Sequence, residues 1–132
     1  MKTNLDQFYK TDRTLEKEGI WIMISDDVGF LVRRFGGANA DRMKQAMAKH
    51  YTPYASQVNK GTIDPQKETE IMATAFVESC LVDWKGVEID GEIAPFEQDV
   101  AIKFLISLPE LTNELIELAQ KVENFKEELG NS

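Results

Sequence analysis

Leu111, Leu115, Leu118, Val122, Phe125 and Leu129 stand four, three, four, three and four residues apart. No other stretch of the chain is so regular. The spacing is that of an a/d heptad stripe, with Glu and Lys filling the positions between. Each of these side chains gains about 1.5–3 kcal/mol on full burial, so a stripe of this size left in water is excluded. The pattern predicts a long amphipathic C-terminal helix over 110–129. Packing on the body of its own domain is the commoner fate of such a helix, and packing on another chain is the alternative. The residues leave both open.

The rest of the chain can supply a body. With 132 residues it is expected to form a single domain, 1–132, with its own core. Apolar residues make up 42% and charged residues 29%, as in a water-soluble globular protein. Acids outnumber bases 23 to 15, giving −8, so most of the surface repels phosphate. General nucleic-acid binding is therefore not expected. The lone Cys80 has no intramolecular disulfide partner, and nothing calls for an oxidising compartment. The N-terminus is too polar for a signal peptide, and no apolar run approaches the ~20 residues of a membrane span. The expectation is a soluble cytoplasmic protein with no membrane partner.

Residues 1–18 are polar, with Leu5, Phe8 and Leu15 loosely spaced like one helical face. In "GIWIMISDDVGFLVRRFGG", two β-rich runs, 20–24 and 28–35, flank Ser25-Asp26-Asp27 between bounding glycines, which predicts a hairpin. Trp21 and Met23 would share one face, Ile22 and Ile24 the other. Both faces are apolar, so both are expected to be covered. The period then changes to helical at Met43, Ala46, Met47 and His50, behind Asn39 as N-cap. A further turn or two is expected over 53–59, before Gly61. Asp64 and Pro65 mark the start of a helix that carries Ile71, Ala75, Phe76, Val77 and Leu81 and stops at Gly86. Pro95 opens another, with Val100, Phe104 and Leu108 inward, and Pro109 opens the last. The fold class is mainly α: about five helices with a small N-terminal β-hairpin over 20–35.

Residues that could carry chemistry are few. His50, the one histidine, cannot build a multi-histidine metal site. Cys80 sits among apolar neighbours as a buried, inert thiol. Asp83, Glu88, Asp90 and Glu92 crowd one loop, but Lys85 and Val87 stand where an EF-hand needs ligands. Asp90-Gly91 reads as a tight turn. No catalytic residue, cofactor site or metal site is expected. Trp84 is expected to be a buried corner joining the helix before it to the helix after it, with Asp83 and Lys85 exposed or capping.

Charge is polarised along the chain. Within 33–49, Arg33, Arg34, Arg42, Lys44 and Lys49 face one acid, Asp41. Within 110–128, Glu110, Glu114, Glu117, Glu123, Glu127 and Glu128 face two lysines. Two solvated faces of one monomer explain this, and so does head-to-tail attraction between copies. A helical DNA-binding regulator using Arg33, Arg34 and Arg42 is the alternative reading.

Three stretches, in this order, carry a resemblance: "GIWIMISDDVGFLVRRFGGANADRM", "CLVDWKGVEIDGEIAPF" and "LISLPELTNELIELAQKVENF". Together they resemble the tail assembly chaperones of long-tailed bacteriophages, in the short, unextended form. The resemblance covers roughly 19–125. It implies a non-enzymatic assembly factor that binds the tape measure protein, self-associates around it, and works in the host cytoplasm without joining the virion. It also implies a longer product, made by ribosomal slippage, that recruits the tail tube protein. Leu129-Gly130-Asn131 is compatible with codons containing G GGA AAC, a slippery heptamer. On this reading the interaction residues are Leu111, Leu115, Leu118, Val122 and Phe125 on the stripe, Met43 and Met47, whose thioethers adapt to varied partners, and Arg33 and Arg34.

Overall fold

The computed structural model describes residues 4–126. The chain begins with two short helices, α1 (Leu5–Tyr9) and α2 (Arg13–Glu18), each started by a side-chain cap, Asn4 and Asp12 respectively. The single face expected over 1–18 is thus split, because Asp12 caps a new helix in the middle of it. The hairpin follows as β1 (Ile20–Met23) and β2 (Gly29–Val32), with Ile20 opposite Val32 and Met23 opposite Gly29. Ser25 Oγ accepts from the Asp27 and Val28 amides and holds the turn.

Helix α3 (Ala40–Tyr51) is followed by a 3-10 turn and α4 (Ala55–Lys60), which stops at Gly61 in the left-handed conformation. Asn39 precedes α3, but its side chain does not cap it. Its Nδ2 donates to the carbonyls of Arg34 and Ser79, both at 3.0 Å. Helix α5 (Pro65–Ser79) starts where Asp64 accepts from the Gln66 amide and Pro65 occupies the first turn. It buries Ile71, Ala73, Ala75, Phe76, Val77 and Ser79 and is wrapped by α3 and by the last two helices, 98–107 and 109–120. Its second half, 71–79, is buried or half-buried all round and lies at the centre.

The expected continuation of α5 to Gly86 does not occur. The Ser79 and Cys80 carbonyls accept from Asn39 Nδ2 and the Arg33 amide, so no further helical turn can use them. The chain instead extends as β3 (Leu81–Lys85) and joins β2, giving an antiparallel sheet in the order β1-β2-β3 with a bulge between Leu31 and Val32. Gly86 ends β3 at φ 73°, and a Cβ there would overlap the Asp27 carbonyl. A small hairpin, β4 (Glu88–Ile89) and β5 (Glu92–Ile93), turns at Asp90-Gly91 with φ 54° and 83°, the geometry of a two-residue type I′ turn.

Helices α6 (Gln98–Ser107) and α7 (Pro109–Gln120) complete the body. The long helix expected over 110–129 is shorter than its pattern: α7 ends at Gln120, Lys121 is extended, and 122–125 form a 3-10 turn. The last carbonyls of α7 are claimed from elsewhere. Leu118 accepts from Asn124 Nδ2 at 2.8 Å, Ala119 from the Phe35 amide at 2.9 Å, and Gln120 from Arg34 Nη2 at 3.0 Å. Leu129, Glu127 and Glu128, and with them residues 129–131, where slippage was expected, lie outside the described residues.

One core joins the inner face of the sheet (Ile22, Phe30, Val32, Leu81, Trp84) to α5, α6 and α7 (Phe76, Val77, Ala101, Leu105, Leu115, Ala119). The mainly helical expectation agrees with this architecture in outline. The differences are more, shorter helices and a sheet of three strands rather than a lone hairpin.

Candidate interaction surfaces

The residues singled out for partner binding are mostly spent on the fold. Leu115 and Phe125 are fully buried, and Leu111, Leu118 and Val122 are half-buried. The stripe therefore packs largely on its own domain. Met43 and Met47 are half-buried on α3. Arg34 is committed inward: Nη1 donates to Glu16 Oε2 at 2.7 Å, Nη2 holds Gln120, and the guanidinium lies 5.9 Å over the Phe125 ring. Arg33 Nε donates to the Lys17 carbonyl at 2.7 Å. Burial, then the neighbouring charge of Arg42, lowers its pKa below the usual guanidinium value. Of the expected basic patch Arg33, Arg34 and Arg42, Arg42 alone is exposed.

Trp84 is 5% exposed. Its ring meets Phe30, Phe96 and Phe104 edge-on, with centroids 6.3, 5.4 and 5.5 Å away. Its indole N–H donates to the Ala94 carbonyl at 2.9 Å. It joins a strand to the loop before α6 and to α6 itself, rather than helix to helix. Asp83 and Lys85 are exposed beside it.

Groups with reactive potential are neutralised or sealed. His50 Nε2 meets Glu78 Oε1 at 2.7 Å across α3 and α5, and Lys49 approaches the same carboxylate at 3.9 Å. His50 and Lys49 line a cleft of about 360 Å³ with Tyr54, Lys67, Glu70 and Thr74, where Lys67 pairs with Glu70 at 3.4 Å. Burial pushes the Cys80 thiol up to about 11, against the opposing hydrogen bond from Ser79 and the charge of Arg33. Among the described residues, no three His, Cys, Asp or Glu side chains converge to hold an ion, and no helix is long and apolar enough to cross a membrane.

Among the described residues, apolar side chains stay exposed on α1 (Leu5, Phe8, Tyr9), at Val58 and Ile93, and in two further places. The first is a groove between the hairpin turn and the α6–α7 corner. A depression of about 220 Å³ is lined by Ile24, Val28, Phe30, Val87, Phe104 and Leu111. Leu111 also lines a second depression, of about 390 Å³, with Leu108 and Pro109. Ile24, in the first depression, and Leu108, in the second, are each 42% exposed.

The second is the outer face of the sheet, which was expected to be covered and is open. Trp21 and Met23 are 41% and 44% exposed. Met23 Sδ lies only 2.5 Å from where a Cβ on Gly29 would stand, so the bare backbone of Gly29 is the shelf it rests on. Lys85 crosses the same shelf and sets its Nζ 4.5 Å over the Trp21 ring. Asp83 and Lys85, polar and alternating on β3, were the sequence signal that this face meets water.

No curated protein and no solved structure matches the chain. A family model, that of the YdaY prophage protein, matches residues 38–131 and so spans α3 to α7 and all of the core helices. The chain belongs to the YdaY prophage protein family and is of phage origin.

Proposed function

We propose that this phage protein is a non-enzymatic tail assembly chaperone that binds the tape measure protein during tail morphogenesis. The groove between Ile24 and Leu108 carries the reading. It is apolar, open, and bordered by side chains that lose water only if another chain covers them. A tape measure protein is a long helical chain with apolar stripes, and a helix laid in such a groove buries successive side chains at helical spacing. The phage origin and the likeness of the three sequence stretches support the same reading. On it, the protein works in the host cytoplasm, self-associates around its client, is absent from the finished particle, and hands over to the tail tube protein through a longer, frameshifted form. Neither a cofactor nor nucleic acid takes part.

The client site is placed on the groove rather than on the whole heptad stripe, because Leu115 and Phe125 already serve the core. Co-expression with the tape measure protein of the same phage tests this. Ile24→Asp with Leu108→Asp should reduce capture at least about tenfold, or ~1.4 kcal/mol, while far-UV circular dichroism stays unchanged. Capture that ignores both changes would move the site elsewhere. Absence of any capture by the wild-type chain would end the reading.

A further inference from the structure

The free edge of β1 carries a second consequence. The Ile24 amide donates to the Val28 carbonyl at 2.9 Å. Bonded and non-bonded positions alternate in an antiparallel pair, so Ile22 and Ile20 face Phe30 and Val32 across bonded positions. On the far side of β2 the Arg33 amide donates to Cys80, which fits the same alternation. The main-chain N–H and C=O groups of Trp21 and Met23 are therefore aimed out of the sheet. Among the described residues, nothing pairs with them.

An edge of this kind is normally blunted by a charge, a proline or a bulge. The strand Ile-Trp-Ile-Met has none of these. Its outward side chains are nonetheless held in place, Met23 on the Gly29 shelf and Trp21 under Lys85. The surface is ordered, apolar and short of hydrogen-bond partners.

We propose that β1 pairs with β1 of a second copy of this chain, antiparallel about a twofold axis at Ile22, into one six-stranded sheet. The register is self-complementary. Trp21 and Met23 are two apart, so each stands opposite the other residue of the second copy, and all four free N–H groups find carbonyls. On the outer face each indole then meets a thioether. The ends complement each other as well. The turn after β1 exposes Asp26 and Asp27, and the start of β1 carries Lys17 and the Arg33 guanidinium against one acid, Glu18. Antiparallel pairing lays the acidic turn of each copy beside the basic end of the other, whereas parallel pairing would set acid on acid. This interface rests on the self-association proposed above and gives it a surface distinct from the client groove.

Two measurements test it: sedimentation across a concentration series, and amide hydrogen exchange read at Trp21 and Met23. The expected result is a dimer in which both amides exchange at least about tenfold more slowly than after dilution to monomer. Met23→Pro removes a donor that makes no bond within one copy, and an edge strand tolerates proline there. That variant should keep its circular dichroism and lose association at least tenfold. Trp21→Lys, at an exposed position, should do the same by setting like charge near Lys85. A wild-type chain that stays monomeric with both amides unprotected would overturn the proposal. So would association unchanged in both variants, or protection that appears only when a foreign chain binds. Capture of the tape measure protein by the monomeric Met23→Pro variant would leave the proposed function standing independently of this interface.

Discussion

The carboxylate of Glu16 is 1% exposed and meets the guanidinium of Arg34 at 2.7 Å. Its other oxygen accepts from the Ala38 amide at 3.2 Å. Arg34 in turn holds the end of α7 and covers Phe125, so one ion pair ties α2, the exit of β2 and the end of the last helix together. Removing one partner of such a pair strands the other charge. Glu16→Ala is expected to cost about 3–5 kcal/mol, read from urea unfolding, and Arg34→Met a similar amount. Costs that add fully in the double variant would show that the two residues do not act as a unit.

Trp84 fills the corner among Phe30, Phe96 and Phe104. Trp84→Ala should destabilise by about 3–5 kcal/mol through cavity formation. Trp84→Phe keeps most of the volume but leaves the Ala94 carbonyl without its donor, at about 1–3 kcal/mol. Thermal unfolding by calorimetry would rank the two. Equal losses would mean that the indole N–H, not the ring, fixes the corner.

Gly86 sits at φ 73° with the Asp27 carbonyl where a side chain would begin. The obstacle is backbone, the Asp27–Val28 segment, and not a side chain that could swing away. Gly86→Ala is therefore expected to cost more than about 1 kcal/mol and to shift the β3 amide resonances. Gly29→Ala meets only the flexible ends of Met23 and Lys85. It should be milder in stability and visible instead as a moved Met23 methyl signal.

Cys80 binds its proton more tightly in the folded chain, with its pKa raised from 9.0 to about 11 by burial. The folded state therefore disfavours the thiolate. The contribution of this group to stability is full below about pH 9 and declines as pH rises from there towards 11. Denaturation midpoints above pH 9 should fall with a slope that Cys80→Ala removes. A disulfide reagent at pH 8 should leave the native thiol untouched and titrate it in denaturant.

Local signals in the sequence were reliable where the chain itself decides the outcome. Asp64 and Pro65 start α5, Asp90-Gly91 makes its turn, and the glycines around β1 and β2 bound a hairpin. The failures share a cause. The ends of α5 and α7 are set by donors far away in sequence, the Arg33 and Phe35 amides and the side chains of Asn39 and Arg34, which claim the final carbonyls. Helical periodicity says nothing of such partners. It continued to count Leu81 and Phe125 as helix, although one lies in a strand and the other folds back under Arg34. The candidate surfaces were legible only in part. Leu111 was on the stripe and does line the groove, but Ile24, Leu108 and the exposed Trp21–Met23 face depend on which neighbours arrive, and those neighbours are non-local.

Thr11 forms an antiparallel bridge with Lys126, and the Asp12 amide donates to the Phe125 carbonyl at 2.7 Å. In an antiparallel pair, the incoming end of one strand and the outgoing end of the other leave from the same side. Tension between the two ends would therefore peel this closure open one bond at a time, like a zip, instead of shearing all its bonds together. The chain would yield there at low force, while the knot of α2, β2 and α7 behind it kept its shape.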